Sequence, residues 1–493
     1  QDQVRPLESL GKQGYVFVGM HIDPSDWSRP GVDAIVNETL RQAQSDEGNV
    51  ILLHDGGGDR SQTVAALPRI IEALQAKGYR FASVSDLLGQ TRDTIMPEVK
   101  GENPLVALGK RIGFFLLFAW SAGLQWLFVI GTLLGLARLC LLVILAVTEK
   151  AKGRRRPAAD QALDFSVAVV VPAYNEDKVV LQTVQSLLAC QHPAAFEIIV
   201  VDDGSSDNTY ALLREAFAGE KLVTVVTQPN SGKPAALNHG ISLTKADIVI
   251  TLDADTVFTR DTIVRLAAWF ADPRIGAVAG NAKVGNRINF LTRCQALEYV
   301  TSQNLDRRAL TILDSVTVVP GAVGAWRRAV LEAAGGFSDD TLAEDADLTI
   351  RIERMGHVVA YEERAVALTE APDTMRGFLR QRFRWMFGTL QVAWKHKDAL
   401  LRPRYGLLGF CGLPNIWVYQ IFFQLISPIM DLWLAYTCLV SGIMWMWHPS
   451  SWTPDALLKV AFYYALFMFA DIMAGVIAFL LERNEDKRLL AWL

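Results

Sequence analysis

The chain has 493 residues, of which 51% are hydrophobic and 20% are charged, and its formal net charge is −4 at pH 7. The hydrophobic share exceeds that of an ordinary soluble enzyme, and the nearly balanced charge argues against nucleic acid as a partner. The five cysteines lack the paired spacing of a zinc site or a disulfide framework, which excludes both as organising features.

Residues 1–98 are a segment of mixed composition that begins with Gln rather than Met, so we expect it to be part of a longer protein. Its motifs His21-Ile-Asp-Pro-Ser-Asp-Trp27 and Ile51-Leu-Leu-His-Asp55 resemble the last part of a polysaccharide deacetylase domain of the nodulation-factor type. The resemblance implies a partial deacetylase-like α/β domain, with His54 as its late catalytic histidine and Trp27 as a pocket wall. The family's early metal-binding motifs have no counterpart here, so no deacetylase activity is expected from this segment alone.

Residues 112–147 are apolar, with Arg138 as the main interruption. One bilayer crossing needs ~20 apolar residues, so this block predicts a transmembrane helix with length to spare. A basic run from Lys150 to Arg156 follows directly, and positive charge beside a span marks its cytoplasmic end. We therefore expect the residues after 156 to be cytoplasmic and residues 1–98 to lie outside the inner membrane.

A second apolar block, 405–481, predicts an interfacial helix and then two transmembrane helices, at 417–440 and 457–481. The loop 448–455 between these spans has no Lys or Arg, whereas basic residues lie before and after the block. An inside–outside–inside path satisfies both ends and makes 482–493 a cytoplasmic tail. The chain is therefore predicted to be a multi-pass protein of the inner (plasma) membrane, with the lipid bilayer as a partner.

The soluble segment 160–400 contains four apolar runs rich in Val and Ile. They lie at 166–171, 197–201, 222–227 and 248–252. Such runs, without alternation, are typical of parallel strands that are covered on both faces. Helical patterns separate them, at 178–189, 209–218 and 234–243. This alternation predicts a doubly wound, mostly parallel α/β sheet.

Polar motifs follow directly after these four strands. They contain Glu176 after the first strand, Asp202 and Asp203 after the second, Lys233 after the third, and Asp253-x-Asp255 after the fourth. Ligands bind open α/β sheets at the carboxyl ends of the strands, so we expect these motifs to share one edge. Two carboxylates one residue apart suit Mg²⁺ or Mn²⁺, whose coordination shell a diphosphate completes. Lys233, in a loop that contains glycine, would add positive charge near that diphosphate.

Two further motifs precede the second apolar block. Glu344 and Asp345 open a helical pattern, a place where acidic residues are often simple helix caps. Gln381, Arg384 and Trp385 lie on a basic helix that also suits an interfacial segment with an aromatic anchor. These residues, taken alone, leave the structural and the catalytic interpretations open.

In their order along the chain, these motifs resemble those of processive family 2 glycosyltransferases, the group of cellulose, chitin, hyaluronan and poly-N-acetylglucosamine synthases. The resemblance covers about residues 160–400 and rests on Asp202-Asp203-Gly, Asp253-x-Asp255, Glu344-Asp345 and Gln381-x-x-Arg384-Trp385. One departure is Ala343, where the family usually has Thr. The resemblance implies a GT-A fold and an inverting, metal-dependent hexosyltransferase that makes a polymer.

The resemblance also implies a role for individual residues. Asp345 would be the general base, and Asp253 and Asp255 would hold the metal ion. The implied donor-binding residues are Glu176, Asp202, Asp203, Lys233, Asp253, Gln381 and Arg384. The implied acceptor-binding residues are Gly321, Trp326, Glu344 and Trp385. Gly321 and Trp326 belong to a segment, 320–328, that resembles the family's glycine-containing acceptor segment.

The implied donor is UDP-N-acetylglucosamine, and the implied acceptor is a growing polysaccharide that leaves through the protein's own spans. A deacetylase-like segment outside the membrane favours an N-acetylated polymer, and a small accessory membrane subunit is a further candidate partner. Three alternatives stay open: a glucan made from UDP-glucose, a single sugar added to a polyprenyl-phosphate lipid, and a scaffold without activity. Gln381-x-x-Arg384-Trp385 favours polymer synthesis over single addition, and the complete set of carboxylates disfavours the scaffold.

Overall fold

The computed structural model describes residues 16–45, 48, 50–56, 59–96, 104–152, 157, 165–447, 454–482 and 485–492. Several predicted features lie partly outside the described residues. These are the start of the first segment at 1–15, the end of the basic run at 153–156, residues 448–453 of the loop between the last spans, and residues 483, 484 and 493 of the tail. The chain divides into two compact units, Gln1–Leu117 and Phe118–Leu493.

The first unit is built from short helices around a small apolar core. Its elements are a 3₁₀ turn at Asp26–Ser28 and the helices α1 (Val32–Gln42), α2 (Ser61–Ala76), α3 (Val84–Leu88) and α4 (Arg92–Ile95). An isolated parallel bridge joins Ile22 to Ile51. Helices α1 and α2 bury Ile35 and Ile70 in the same cluster as Ile22. Helix α2 follows the segment that contains His54, and the deacetylase-like nature of this unit stays a prediction.

An eight-stranded sheet forms the centre of the second unit. Its strands are β1 (Val167–Ala173), β2 (Phe196–Asp202), β3 (Val223–Thr227), β4 (Ile248–Thr251), β5 (Val257–Phe258), β6 (Ile275–Val284), β7 (Gly324–Arg327) and β8 (Val358–Thr369). They are arranged in the order β3-β2-β1-β4-β7-β6-β8-β5. The first four are the strands predicted from the sequence, and they run parallel to one another.

The other half of the sheet adds two antiparallel strands to a sheet that is mostly parallel, as predicted. Strand β7 runs antiparallel to both of its neighbours, β4 and β6, and β5 runs antiparallel to β8. Strands β6 and β8 are parallel to each other. The sheet is therefore mixed. Strand β7 has only four residues, Gly-Ala-Trp-Arg, so no apolar run in the sequence signals it.

Helices cover the sheet on both faces and continue into long apolar segments. They are α5 (Pro104–Lys152), α6 (Val180–Leu188), α7 (Thr209–Ala216), α8 (Lys233–Ser242), α9 (Thr262–Ala268), α10 (Phe290–Glu298), α11 (Leu305–Ile312), α12 (Arg328–Ala333), α13 (Glu344–Arg354), α14 (Met375–Lys395), α15 (Leu413–Asn415), α16 (Phe423–Trp447) and α17 (Asp455–Leu481). π-helical turns lie at Tyr299–Asn304, Leu408–Gly412 and Ile416–Phe422. Helices α6, α7 and α8 match the predicted helices to within two residues.

The core is divided by the sheet, because successive side chains of a strand point to opposite faces. On β1, Val169 packs in the same cluster as Val184 of α6. Its neighbour Val170 packs in a second cluster with Leu237 of α8. Branched side chains suit a pleated surface that is buried on both faces. This double cover explains why the predicted strands are continuous apolar runs.

Three helices in the described part of the chain are long and apolar enough to cross a membrane. They are Leu105–Ala151, Leu408–Trp447 and Leu457–Leu481. The predicted spans at 112–147, 417–440 and 457–481 lie within these three helices. Helix α5 has 49 residues, which is ~74 Å at 1.5 Å per residue, more than twice the ~30 Å hydrocarbon core of a bilayer.

A buried set of ion pairs, here called the Arg308 network, ties α5 and α17 to the sheet. Arg308 is 2% exposed. Its carboxylate partners are Glu149 of α5 at 3.0 Å, Glu363 of β8, and Glu482 after α17 at 3.5 Å. The other members are Lys150, Lys283, Arg287 and Glu485. Elements that lie far apart in the chain are thus joined through one arginine.

Candidate active site

Loops from several strands meet at one edge of the sheet. Parallel neighbours bring the carboxyl ends of β1, β2 and β4 together. Strand β7 is antiparallel to β4, and Gly324 pairs with Thr251. The segment that precedes β7 therefore reaches the edge at which β4 ends. This pairing places Gly321 beside Asp253, although the two residues are 68 positions apart in the sequence.

Asp203 and Asp202 organise the loops at this edge. The buried carboxylate of Asp203 accepts three hydrogen bonds. The donors are Gln228 Nε2 at 2.7 Å, Ser231 N at 3.0 Å and Gly232 N at 2.8 Å. Asp202 is also buried and accepts from Thr227 Oγ1 at 2.7 Å. Both carboxylates therefore hold the loop that leads to Lys233, and their predicted contacts with the donor stay predictions.

Lys233 lies between two acidic motifs. Its Nζ is 2.5 Å from Asp253 Oδ1 and 3.3 Å from Glu344 Oε1. Gly232 has φ +87°, a conformation that favours glycine, and it turns the chain into α8 with Lys233 as the first residue. Burial lowers the pKa of Lys233, but attraction to Asp253 and Glu344 outweighs burial and raises it above its usual value. Lys233 is therefore a permanent cation in the cleft.

Gly321 marks the point at which the predicted site residues converge. A Cβ atom added to Gly321 would lie 2.8 Å from Lys233 Nζ, 3.7 Å from Asp345 Oδ2 and 3.8 Å from Asp253 Oδ1. The amide of Gly321 donates to Asp345 Oδ2 at 3.0 Å. Asp345 lies in the first turn of α13, where Ala346 N donates to its Oδ1 at 2.8 Å. One cleft thus contains the predicted base, one predicted metal ligand and the predicted cation.

Three carboxyl groups of this cleft have raised pKa values. Burial and the charge of Glu344 raise the pKa of Asp345 to about 6. Burial and the charge of Asp253 raise the pKa of Asp255 to about 6. Burial and the charge of Asp255 raise the pKa of Glu176 to about 7. Acidic groups that repel one another in a partly buried cleft favour the uptake of protons or of cations.

The oxygen atoms of Asp253 and Asp255 suit a hard divalent cation. Hydrogen bonds from Thr256 Oγ1 at 3.1 Å and Thr369 Oγ1 at 3.3 Å orient the carboxylate of Asp255. The repulsion that raises the pKa of Asp255 is the kind that a cation relieves. Across the described residues, no three His, Cys, Asp or Glu side chains are grouped to hold a metal ion. A cation here would therefore complete its shell with ligand and water oxygens, as Mg²⁺ commonly does.

Trp385 lies half-buried on α14 beside an aromatic and a cationic neighbour. Its ring centroid is 6.5 Å from that of Tyr299. The Arg382 guanidinium lies 4.7 Å from the Trp385 ring centroid, and two hydrogen bonds of 2.5 Å tie Arg382 to Glu298. Arg382 and Glu298 were not predicted. The signal in the sequence is weak: Arg382 lies within the Gln-x-x-Arg-Trp motif, and Glu298 lies at the end of α10, far from that motif in the sequence.

Gln381 and Arg384 belong to the same helix but differ in exposure. The side chain of Arg384 is exposed. Gln381 Oε1 is buried, and no hydrogen bond to it is formed within the described part of the chain. An unsatisfied buried carbonyl oxygen is uncommon in proteins and is available for a ligand. The donor contacts predicted for both residues stay predictions.

Trp326 lies in the core rather than on an open wall of the cleft. It is 1% exposed on β7. Its indole Nε1 donates to Thr251 Oγ1 at 3.0 Å, and its ring packs edge-on against Phe337 at 5.6 Å. The predicted contact of Trp326 with the acceptor therefore receives no support from its position, because packing fills its surroundings.

In the first unit, His54 pairs with a buried carboxylate. His54 Nδ1 lies 2.8 Å from Asp26 Oδ1, and Thr63 Oγ1 donates to Asp26 Oδ2 at 2.7 Å. Burial alone would raise the pKa of Asp26, but the hydrogen bonds outweigh burial and lower it. Trp27 is 56% exposed next to this pair. Asp26 was not predicted, although it directly precedes Trp27 in the quoted motif.

Parts of the chain are similar to known proteins. Residues 165–388 match the family model described as "Glycosyltransferase like family 2". The poly-beta-1,6-N-acetyl-D-glucosamine synthase of Staphylococcus aureus (strain COL) is 29% identical over 264 residues, which are 52% of this chain and 64% of that protein. The Staphylococcus epidermidis protein of the same name is 26% identical over 325 residues, 65% of this chain and 76% of that protein. The chain thus spans less than two thirds of the S. aureus relative.

Among solved structures, the mannosyltransferase PcManGT from Pyrobaculum calidifontis, in complex with GDP-Man and Mn²⁺, is similar with a TM-score of 0.52. The sequences are 22% identical, and the match covers 75% of this chain and 99% of that one. This likeness shows the fold, a GT-A-like glycosyltransferase fold with a mixed sheet. The family match is limited to residues 165–388, which are similar to the glycosyltransferase family 2 model.

Proposed function

We propose that the protein is a membrane-embedded, processive, inverting glycosyltransferase that builds a β-linked polysaccharide, with UDP-N-acetylglucosamine as its donor. The observation that carries this proposal is the convergence of Lys233, Asp253 and Asp345 around Gly321. A cation, a candidate metal ligand and a candidate base within a few ångströms of one point are what sugar transfer from a nucleotide diphosphate requires.

In the proposed step, an acceptor hydroxyl attacks the anomeric carbon of the donor sugar on the face opposite the diphosphate. Asp345 accepts the hydroxyl proton while the new bond between carbon and oxygen forms. The bond from the anomeric carbon to the diphosphate oxygen breaks, and UDP leaves with the electron pair. A base with a pKa of about 6 is ionised at neutral pH and still basic enough to take the proton. Hydrogen bonds from Gly321 and Ala346 hold its carboxylate.

The donor side of the cleft supplies positive charge for the leaving group. A divalent cation held by Asp253 and Asp255 would offset the charge that develops on the departing diphosphate. Lys233 is a fixed cation at the same place. Arg384, exposed on α14, and the unsatisfied Gln381 Oε1 are assigned to the donor as well. Glu176, Asp202 and Asp203 would shape the nucleotide end of the site.

The choice of polymer and sugar is supported by the relatives, which are named as synthases of poly-beta-1,6-N-acetyl-D-glucosamine. The motif formed by Gln381, Arg384 and Trp385 also favours a polymerising enzyme. Trp385 offers a half-buried aromatic face on which an acceptor sugar stacks in this proposal, and Glu344 lies next to the base. A role for an accessory membrane subunit stays a prediction.

The proposed placement in the membrane rests on the three apolar helices and on charge. Three spans would cross the inner membrane. Basic residues at 150–156 and at 395–404 would mark the cytoplasmic side, and they flank the transferase segment 160–400. By the same rule, residues 1–98 would lie outside the cytoplasm and residues 482–493 inside it.

The test is a donor screen with the purified full chain in lipid nanodiscs. Radiolabelled UDP-N-acetylglucosamine and UDP-glucose are each supplied with Mg²⁺ or Mn²⁺, and products are separated by size and digested with linkage-specific hydrolases. Long chains from UDP-N-acetylglucosamine would support the proposal, with the Asp345→Asn variant as the inactive control.

Each other result points to a different reading. Long chains from UDP-glucose alone would make the protein a glucan synthase. One sugar on a polyprenyl-phosphate lipid would make it a single-addition transferase. No incorporation from either donor by the wild type would overturn the proposed activity.

For the first unit, we propose that residues 1–98 have no deacetylase activity by themselves. The His54–Asp26 pair offers a histidine held by a buried carboxylate, but the metal-binding motifs of the resembled family are missing from the sequence. Acetate release from an N-acetylated oligosaccharide, measured with added divalent metals, tests this directly. Release that is lost in the His54→Ala variant would contradict the proposal.

A further inference from the structure

Arg307 and Arg308 are neighbours on α11 that are both buried but are paired very differently. Their exposed fractions are 8% and 2%. Arg308 contacts three carboxylates of the Arg308 network. Within the described residues, Arg307 makes no ion pair and one side-chain hydrogen bond, from Nη1 to Asn304 Oδ1 at 3.4 Å. A guanidinium has five N–H donors, so most of the donors of Arg307 are available to a ligand.

The hydroxyl group of Tyr361 on β8 is a second polar group with unused hydrogen-bonding capacity in the described part of the chain. Tyr361 is 4% exposed, and among the residues that the structure describes none forms a hydrogen bond with its hydroxyl. Native proteins leave few buried polar groups unsatisfied, so such a group needs an explanation, for which a ligand is one candidate. Helix α11 packs against β8, and the guanidinium of Arg308, the neighbour of Arg307, lies 6.0 Å from the Tyr361 ring centroid. Arg307 and Tyr361 therefore lie in the same region, where α11 meets β8.

This place borders the base side of the cleft. Helix α11 directly follows the π-helical turn Tyr299–Asn304, and such turns frequently occur at functional sites. Tyr299 in that turn packs beside Trp385. Burial lowers the pKa of Arg307, and the charge of Asp345 offsets part of that effect. Arg307 thus lies within the electrostatic reach of the proposed base.

We propose that Arg307 and Tyr361 bind the acceptor end of the growing polysaccharide by donating hydrogen bonds to oxygen atoms of its terminal sugars. This inference rests on the proposed function, because a base takes its proton from the acceptor and so marks the acceptor side. The donor side already has Lys233 at Asp253. Sugar hydroxyl and carbonyl oxygens are neutral acceptors that suit a buried guanidinium and a buried phenol.

The experiment compares Arg307→Gln, Arg307→Lys and Tyr361→Phe with the wild type, as full chains in lipid nanodiscs. Three quantities are measured: the length of the polymer, the KM for UDP-N-acetylglucosamine, and the melting temperature. We expect Arg307→Gln to shorten the polymer by ~10-fold, because weaker acceptor binding raises dissociation between additions, with the donor KM changed by less than about 2-fold. Arg307→Lys keeps one charged donor group and should recover part of the length.

Tyr361→Phe is the sharper variant because it removes a hydroxyl that has no partner in the described structure. Its melting temperature should not fall, and its polymer should still be shorter than that of the wild type. Arg274→Gln is the matched control, since Arg274 is 77% exposed and paired with Asp272 two residues away; its polymer length should equal that of the wild type. A lower melting temperature with unchanged polymer length in Tyr361→Phe would overturn the inference.

The donor measurement separates the two ends of the reaction. A raised donor KM with unchanged polymer length in Arg307→Gln would assign Arg307 to the donor and overturn the inference. If the wild type makes polymer and all three variants match it, this inference fails while the proposed function stands. If the wild type makes no polymer, the proposed function itself fails.

Discussion

The Arg308 network and the candidate cleft around Gly321 both bring acidic side chains together in buried or partly buried positions, but they differ in what neutralises those acids. In the network, Arg308 contacts Glu149, Glu363 and Glu482. Further cations contact these or neighbouring acids: Lys150 pairs with Glu363, Lys283 with Glu482 and Glu485, and Arg287 with Glu485. In the cleft, as far as the structure describes the chain, Lys233 is the cation that contacts Asp253 and Glu344. The remaining carboxyl groups repel one another, and those of Glu176, Asp255 and Asp345 have raised pKa values.

This difference distinguishes ion pairs that stabilise the fold from acidic groups that are available to bind a ligand. A buried ion pair is costly to break, because the partner left behind stays buried and charged. A cluster of like charges costs stability in the empty protein, and a bound cation recovers that cost. The network should therefore control stability and the cleft should control activity. Each prediction below tests one side of that division.

Removal of divalent cations should have the largest effect. If Asp253 and Asp255 hold a cation against the diphosphate, a chelator should abolish sugar transfer, because the charge of the leaving group is then not offset. Melting temperature should change much less than activity. Synthesis that continues at the untreated rate in excess chelator would contradict the role given to these two carboxylates.

Asp345→Asn should reduce the transfer rate by roughly 10²–10⁴-fold, the range in which a general base contributes. Asparagine keeps the shape and can still accept from Gly321 N, but it cannot take the acceptor proton. UDP binding, measured by calorimetry, should stay within a factor of about two. Asp340→Asn is the matched control, because Asp340 is an exposed residue that pairs with Lys395. A rate near that of the wild type would remove Asp345 from the proposed step.

Arg308→Met should be the most destabilising of the variants considered. It leaves three carboxylates of the network without their shared cation, and the loss of one partner from a buried ion pair costs ~3–5 kcal/mol. The free energy of unfolding is measured by denaturant titration in mixed micelles. Arg274→Met removes one member of an exposed ion pair, and its free energy of unfolding should stay within ~0.5 kcal/mol of the wild-type value. Equal stability of the two variants would contradict the division between network and cleft.

The fold of the first four strands could be predicted because local information was sufficient. Val and Ile runs, helical patterns between them and polar residues at their ends all point to one parallel sheet edge. Strands β7 and β5 were not predicted, because they have only four and two residues. Their direction is set by pairing with distant strands, which a single sequence does not display.

The same reasoning explains which site residues the sequence could predict. Asp253 and Lys233 follow predicted strands, so their meeting follows from topology. Arg308 meets Glu149 across 159 positions and Glu482 across 174 positions, and no local pattern indicates such pairs. Trp326 shows the opposite case, since its place in a motif-like segment suggested a site although packing places it in the core.

Gly321→Ala should have a moderate effect on activity and a small one on stability. The added methyl group would meet Lys233 Nζ at 2.8 Å, and that flexible end can move. Lys233 would then shift away from Asp253, and we expect transfer to slow by roughly 10-fold, since small misplacements in a site are costly. Gly219→Ala is the control, because nothing lies within 4 Å of its added methyl group. Equal rates for the two variants would contradict the convergence at Gly321.

Glu176→Gln should have the smallest effect of the variants considered. It should raise the melting temperature, whereas Arg308→Met should lower the stability. Burial and the charge of Asp255 raise the pKa of Glu176 to about 7. A raised carboxyl pKa gives stability that is present below the ordinary pKa and is lost as pH rises through the raised value. The metal-free wild type should therefore lose melting temperature relative to Glu176→Gln between about pH 5 and about pH 8. Glu482→Gln, which removes an acid from the network, should instead melt below the wild type. If the difference in melting temperature between Glu176→Gln and the wild type does not depend on pH, Glu176 is not among the carboxyl groups that repel one another.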